Sequence, residues 1–187
     1  MKPRVLSLPE AAPVPSGEAP PVVDQNAVDE QSTALLPPVA EDVALRYSAS
    51  LIANEGAGPN ARLRVRPWLT VGRWSGNVDQ AARLADKLVD NAVRHGVATP
   101  DSLIVLRLII LERTQELLIE VDDALPGFPD FETAANQPTE PIGTPTGLWW
   151  VAHYHAELTW DVRRDEDGAV IGKTVQAILP ASWGGSE

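Results

Sequence analysis

The chain has 187 residues, a formal net charge of −11, 44% hydrophobic and 22% charged residues, and no cysteine. That length buries one sizeable core, and the lack of cysteine excludes disulfide scaffolds, thiolate metal sites and cysteine nucleophiles. So acidic a chain lacks the clustered cations with which a nucleic-acid binder releases counterions, and that class is excluded too.

No run approaches ~18 apolar residues, so no membrane-spanning helix is expected. Pro9, Pro13 and Pro15 interrupt the apolar stretch that follows Lys2 and Arg4 before it reaches signal-peptide length. A cytoplasmic protein is the expectation.

Residues 1–42 carry eight of the 17 prolines, several acids and no periodic apolar face. Such a composition cannot offset its ordering entropy by burial, so a disordered Pro-rich acidic tail is expected there, with the folded domain over 43–187.

The stretch VALRYSASLI from Val43 is compatible with a short helix or a strand. In ARLRVRPWL, Ala61 to Leu69, the alternation of Leu63 and Val65 up to Pro67 predicts an edge strand ending at the proline. Asn77 is placed to cap a helix running to His95 and stopped by Gly96. Around that helix Val78, Ala81, Leu84, Ala85, Leu88, Val89 and Ala92 fill one arc, with Arg83, Asp86, Asp90 and Arg94 opposite. Lys87, Asn91 and His95, four residues apart, form a polar stripe along the edge of the apolar arc.

SLIVLRLIILER and ELLIEVDDA, separated by Thr114 and Gln115, read as a hairpin. The Pro-rich segment from Leu125 to Thr146 is long enough to be a functional lid. GLWWVAHYHAE, Gly147 to Glu157, suits a helix, and LTWDVRRDEDGAVIGKTVQAIL forms a second hairpin turning at Asp165 to Gly168. The order strand, helix, hairpin, lid, helix, hairpin predicts an α+β two-layer sandwich, a mixed but mostly antiparallel sheet with helices on one face.

Three tempting motifs fail on spacing. GAVIGKT has three residues between its glycines where a phosphate-binding loop needs four, and a strand pattern follows it instead of a helix. His153 and His155 lie about 200 degrees apart on a helix and cannot share an ion from one face. No Gly-x-Ser-x-Gly elbow exists.

KLVDNAVRHG, then IEVDDALPGFP, GTPTGLWWVAHYHAEL and GKTVQAIL, in this order, resemble the histidine-kinase-like ATPase family, also called the GHKL or Bergerat fold. The nearest branch is the bacterial anti-sigma-factor serine/threonine kinases. The resemblance implies ATP and Mg²⁺ as cofactors, with Asn91 as the metal ligand; a hard ion that keeps several waters needs few protein oxygens. It implies that Asp123, or Asp122 one residue earlier, accepts a hydrogen bond from the adenine amino group. Strand alternation puts Asp123 on the face of Ile119 and Val121 and so favours it.

The resemblance further implies that Gly127 lets the chain pass close to the nucleotide, that backbone N–H groups after Gly147 meet phosphate oxygens, and that Thr174 shares the adenine-binding aspartate or its water. A sigma factor or an anti-sigma antagonist is the implied partner, and a homodimer the implied assembly. The sequence departs from the family at the general base, a glutamate four residues before the asparagine, where Lys87 stands. A lysine does not activate water or a serine hydroxyl at neutral pH unless strongly desolvated. There is also no Lys or Arg between Arg113 and Arg163, so the lid offers a triphosphate no cation. These residues imply an ATP-binding regulatory protein with weak or absent phosphoryl transfer; if active it is an ATP-dependent protein kinase or ATPase, and its alternative is a non-catalytic interaction module in a partner-switching pathway.

Overall fold

The computed structural model describes residues 42–140 and 147–181. The expected tail over 1–42, apart from Asp42, and the last part of the expected lid lie outside the described residues. Five strands and four helices follow in chain order: β1 (Val43–Ile52), α1 (Ala57–Val71), α2 (Val78–His95), β2 (Leu103–Leu111), β3 (Leu117–Asp123), α3 (Phe131–Ala135), α4 (Trp149–His153), β4 (Glu157–Arg164) and β5 (Val170–Leu179). The strands form one sheet in the order β1-β2-β3-β5-β4, with every ladder antiparallel. The α+β class stands, and where a mixed sheet was expected the described ladders are wholly antiparallel.

VALRYSASLI is a strand in which apolar and polar residues alternate from Leu45 to Leu51. Leu45, Tyr47, Ala49 and Leu51 turn towards the helices while Arg46, Ser48, Ser50 and Ile52 face away. ARLRVRPWL is a correction: it lies inside α1, and the expected edge strand does not form. Ala57, Ala61, Val65 and Leu69 recur every fourth residue and are all buried, whereas Leu63, half of the apparent alternation, is 70% exposed. The i, i+4 stripe decides the local structure because it is the face that finds a partner. Pro67 sits within the helix on its exposed side, and the sequence reading took it for the end of a strand.

The longest helix, α2, begins and ends as its sequence indicates. Asn77 Oδ1 accepts from the backbone N–H groups of Asp79 and Gln80, both at 3.1 Å, and Gly96 follows the last turn. Asp79 in the first turn and Arg94 in the last complement the helix dipole. At the crossing of α1 and α2, a Cβ on Gly58 would stand 2.4 Å from Asp86 Oδ1, so the two helices approach through a glycine.

The hairpins form as expected. At the second, Asp165 Oδ1 accepts from the N–H groups of Asp167 and Ala169, and Gly168 takes a positive φ of 83°. Helix α4 is shorter than the eleven residues from Gly147 to Glu157 and spans only Trp149–His153. His155 adopts a left-handed φ of 52°, a conformation that ends a helix.

Both long helices and α4 pack on one face of the sheet. Leu69, Leu84, Leu88, Leu106, Leu108 and Ile119 lie at the centre of that layer, all buried. Among the described residues, no helix is long and apolar enough to cross a membrane.

Candidate functional site

Register decides which polar residues meet. In the β3–β5 ladder Asp122 lies opposite Thr174 and Asp123 opposite Lys173. Asp123 and Lys173 share their face with Val121 and Val175, towards the helices; Asp122 and Thr174 belong to the reverse face.

On the helix side, a cavity of about 430 Å³ opens between the C-terminal half of α2, the chain leaving β3 and the approach to α4. Its walls include Asn91, His95, Gly127, Phe128, Gly147 and Lys173. The fold therefore brings Asn91, Gly127 and Gly147 together around one space although they are up to 56 residues apart in the chain. Asn91 is half-buried, and no hydrogen bond among the described residues engages its amide. Lys87, one turn earlier, is also half-buried but does not line the cavity.

Asp123 lies behind the wall, 1% exposed, and it is already bonded. Lys173 Nζ donates to Asp123 Oδ1 at 2.8 Å, stands 2.8 Å from Oδ2, and reaches the carbonyl of Leu125 at 3.3 Å. The N–H of Leu125 also donates to Oδ1, at 2.8 Å. Burial pushes the Asp123 carboxyl above its usual range, against the opposing pull of Lys173. Two glycines let the chain pass close to the aspartate: a Cβ on Gly96 would stand 2.7 Å from its Cγ, and one on Gly172 would stand 2.0 Å from its backbone carbonyl oxygen. Gly172 has a φ of 147°, which no side-chain-bearing residue adopts readily.

Thr174 requires a correction. It was expected to share the aspartate of the pocket, but its hydroxyl donates to Asp122 Oδ1 at 2.7 Å on the reverse face, and the β5 residue beside Asp123 is Lys173. The signal that would have found Lys173 was present in the sequence, since it shares strand parity with the apolar Val175, Ala177 and Leu179. The role expected of the N–H groups after Gly147 also changes, because α4 has five residues and too little dipole to make an anion site of its own.

The donor set fits one half of a metal–nucleotide ligand. Among the described residues no cluster of three His, Asp or Glu could hold a metal by itself. A single uncommitted amide at the cavity edge suits an ion whose remaining ligands are phosphate oxygens and water. The half that would read the base does not fit, since the carboxylate is taken by Lys173.

No protein-family model matches the chain, and no curated protein matches it in sequence. Solved structures similar to it include the RsbU and RsbW domains of Rv1364c from Mycobacterium tuberculosis, with 18% identity and a TM-score of 0.41 over 76% of this chain and 34% of that one. Another is the histidine kinase domain of the blue-light activated histidine kinase of Erythrobacter litoralis EL346, with 23% identity and a TM-score of 0.35 over 56% of this chain and 44% of that one. This chain thus spans under half the length of either, and its α+β class rests on the strand order and single helix layer of its own sheet.

Proposed function

We propose that the domain is an ATP-binding regulatory protein resembling the anti-sigma-factor serine/threonine kinases, with weak or absent phosphoryl transfer. The observation that carries this reading is the cavity itself. Asn91, Gly127 and Gly147, with Asp123 just behind, surround one space, as the resemblance of their sequence motifs leads one to expect.

In this reading Asn91 Oδ1 would hold Mg²⁺, which would supply positive charge to offset that of the phosphates. Gly127 and Gly147 leave room for the ligand against the backbone; among the described residues, nothing lies within 4 Å of where a Cβ on Gly147 would project. At the general-base position Lys87 offers N–H donors where a carboxylate would accept a proton, so transfer has positioning without a base. A cytoplasmic signalling role, a sigma factor or anti-sigma antagonist as partner, and assembly as a homodimer belong to the same proposal.

Titration of Mg-ATP by calorimetry tests it. Wild-type binding is expected, with Asn91→Ala weakening it by about tenfold or more, roughly 1.4 kcal/mol, and removing its Mg²⁺ dependence. No binding by the wild type would sink the reading.

The ion pair between Lys173 and Asp123 favours a second reading, a non-catalytic module that works by holding a protein partner. Turnover separates the two. Readily measured ATP hydrolysis by the wild type refutes the non-catalytic module, and hydrolysis gained only in Lys87→Glu supports the loss of the base as the reason for inactivity.

A further inference from the structure

The cavity carries a lysine where the nucleotide reading calls for a free acceptor. An ammonium has three N–H donors, and Lys173 has three acceptors within reach: both oxygens of Asp123 and the carbonyl of Leu125. Only 4% of Lys173 is exposed. Asp123 is 1% exposed and lies behind Lys173, which lines the cavity where the aspartate does not; Gly96 approaches its carboxylate, and Gly172 its backbone carbonyl, so closely that a Cβ on either would clash. Register holds Lys173 directly across the ladder from Asp123, and its Nζ stands over the Phe128 ring, 6.0 Å from the centroid.

A ligand amino group could reach Asp123 only by displacing Lys173. That exchange would replace an ion pair with a hydrogen bond from an uncharged donor and leave an ammonium buried without its counter-charge, which is unfavourable on both counts. A pocket that reads an amino group through a dedicated acceptor discriminates by orders of magnitude against an analogue lacking it; a pocket whose acceptor is taken cannot.

We propose that Lys173 is the specificity-determining residue of this pocket: held on Asp123, it withdraws the carboxylate from the adenine amino group and leaves the site unable to distinguish amino from oxo purine nucleotides. The inference rests on the nucleotide reading above and adds to it that the base is not recognised through Asp123. The ligand class is a Mg²⁺–purine nucleoside triphosphate, with Asn91 as the residue that would hold its metal.

The test measures Kd for Mg-ATP and for Mg-ITP, which carries an oxo group in place of the amino group, on the full chain and on Lys173→Thr and Lys173→Met. The wild type is expected to prefer ATP by no more than about threefold, and the variants to prefer it by about tenfold or more, because Asp123 is then free to accept. A larger wild-type preference for ATP overturns the inference without any variant, so failure of a variant to fold does not protect it. Variants with wild-type circular dichroism that remain indifferent overturn it as well. If neither nucleotide binds the wild type or the variants, both the nucleotide reading and this inference fall. ATP binding that is seen only once Lys173 is replaced sinks the nucleotide reading for the native chain and upholds the role of Lys173.

Discussion

Asp123 and Lys173 illustrate how much a single ladder position decides. With both groups buried, removing one leaves the other charged in an apolar setting, so Lys173→Met alone is expected to cost about 3–5 kcal/mol, and adding Asp123→Leu to recover most of that loss. Urea unfolding of both single variants and the double variant checks this; a double loss equal to the sum of the two single losses would mean that the two charges are not coupled. The raised pKa of Asp123 also predicts a pH dependence. In the native state this carboxyl holds its proton to higher pH than in the unfolded chain, so its contribution is fully present below the ordinary aspartate range and is lost as pH rises through the raised value. Melting temperatures of the wild type should therefore fall relative to Asp123→Asn as pH rises from about 4, and parallel profiles would contradict it. The sequence made the Asp123 half of this pair legible through strand parity. Lys173 obeys the same parity, but a charged residue pointing into a core is explained only by its partner across the ladder.

Helix α1 shows how two periods compete in one stretch. Leu63 and Val65 suggest alternation, while Ala57, Ala61, Val65 and Leu69 suggest a helix; alanine is too weak a hydrophobic signal to settle the matter, and the proline argued for the wrong side. The helix wins because its small, apolar stripe packs closely against α2 and the sheet. Leu69→Ala should cost about 2–5 kcal/mol, whereas Leu63→Ala should change stability by no more than about 0.5 kcal/mol. Chemical denaturation distinguishes them, and equal costs would contradict the orientation of the helix. By contrast α2 was legible from end to end, because its cap, its stop and a wide apolar arc all agree. The shortening of α4 was not, since the left-handed turn at His155 depends on where β4 must join the sheet.

Across the whole sheet, the face away from the helices carries its own polar layer. Arg107 on β2 donates to Glu120 at 2.8 Å and to both oxygens of Asp122 at 2.6 Å, while Gln176 and Thr174 on β5 complete the bonds of those acids. Arg163 on β4 adds a contact to Asp122 at 3.2 Å, so four strands are joined through two buried carboxylates. The hydrogen bonds that Arg107 donates to Asp122 are the main reason its guanidinium is held even more firmly protonated than usual. Arg107→Ala is expected to cost about 3–5 kcal/mol, towards the lower end because Arg163 remains; a loss below about 1 kcal/mol in urea would show the layer to be no more than a surface network. What the sequence by itself determined are the properties that depend on neighbours along the chain: the ends of α2, the two hairpins and the α+β class. The tertiary structure alone decided that 61–69 is helical, that Thr174 serves Asp122, and that Lys173 occupies Asp123. Those outcomes depend on strand register and on which face finds a partner, and they join residues as much as 52 positions apart, beyond the reach of any local pattern.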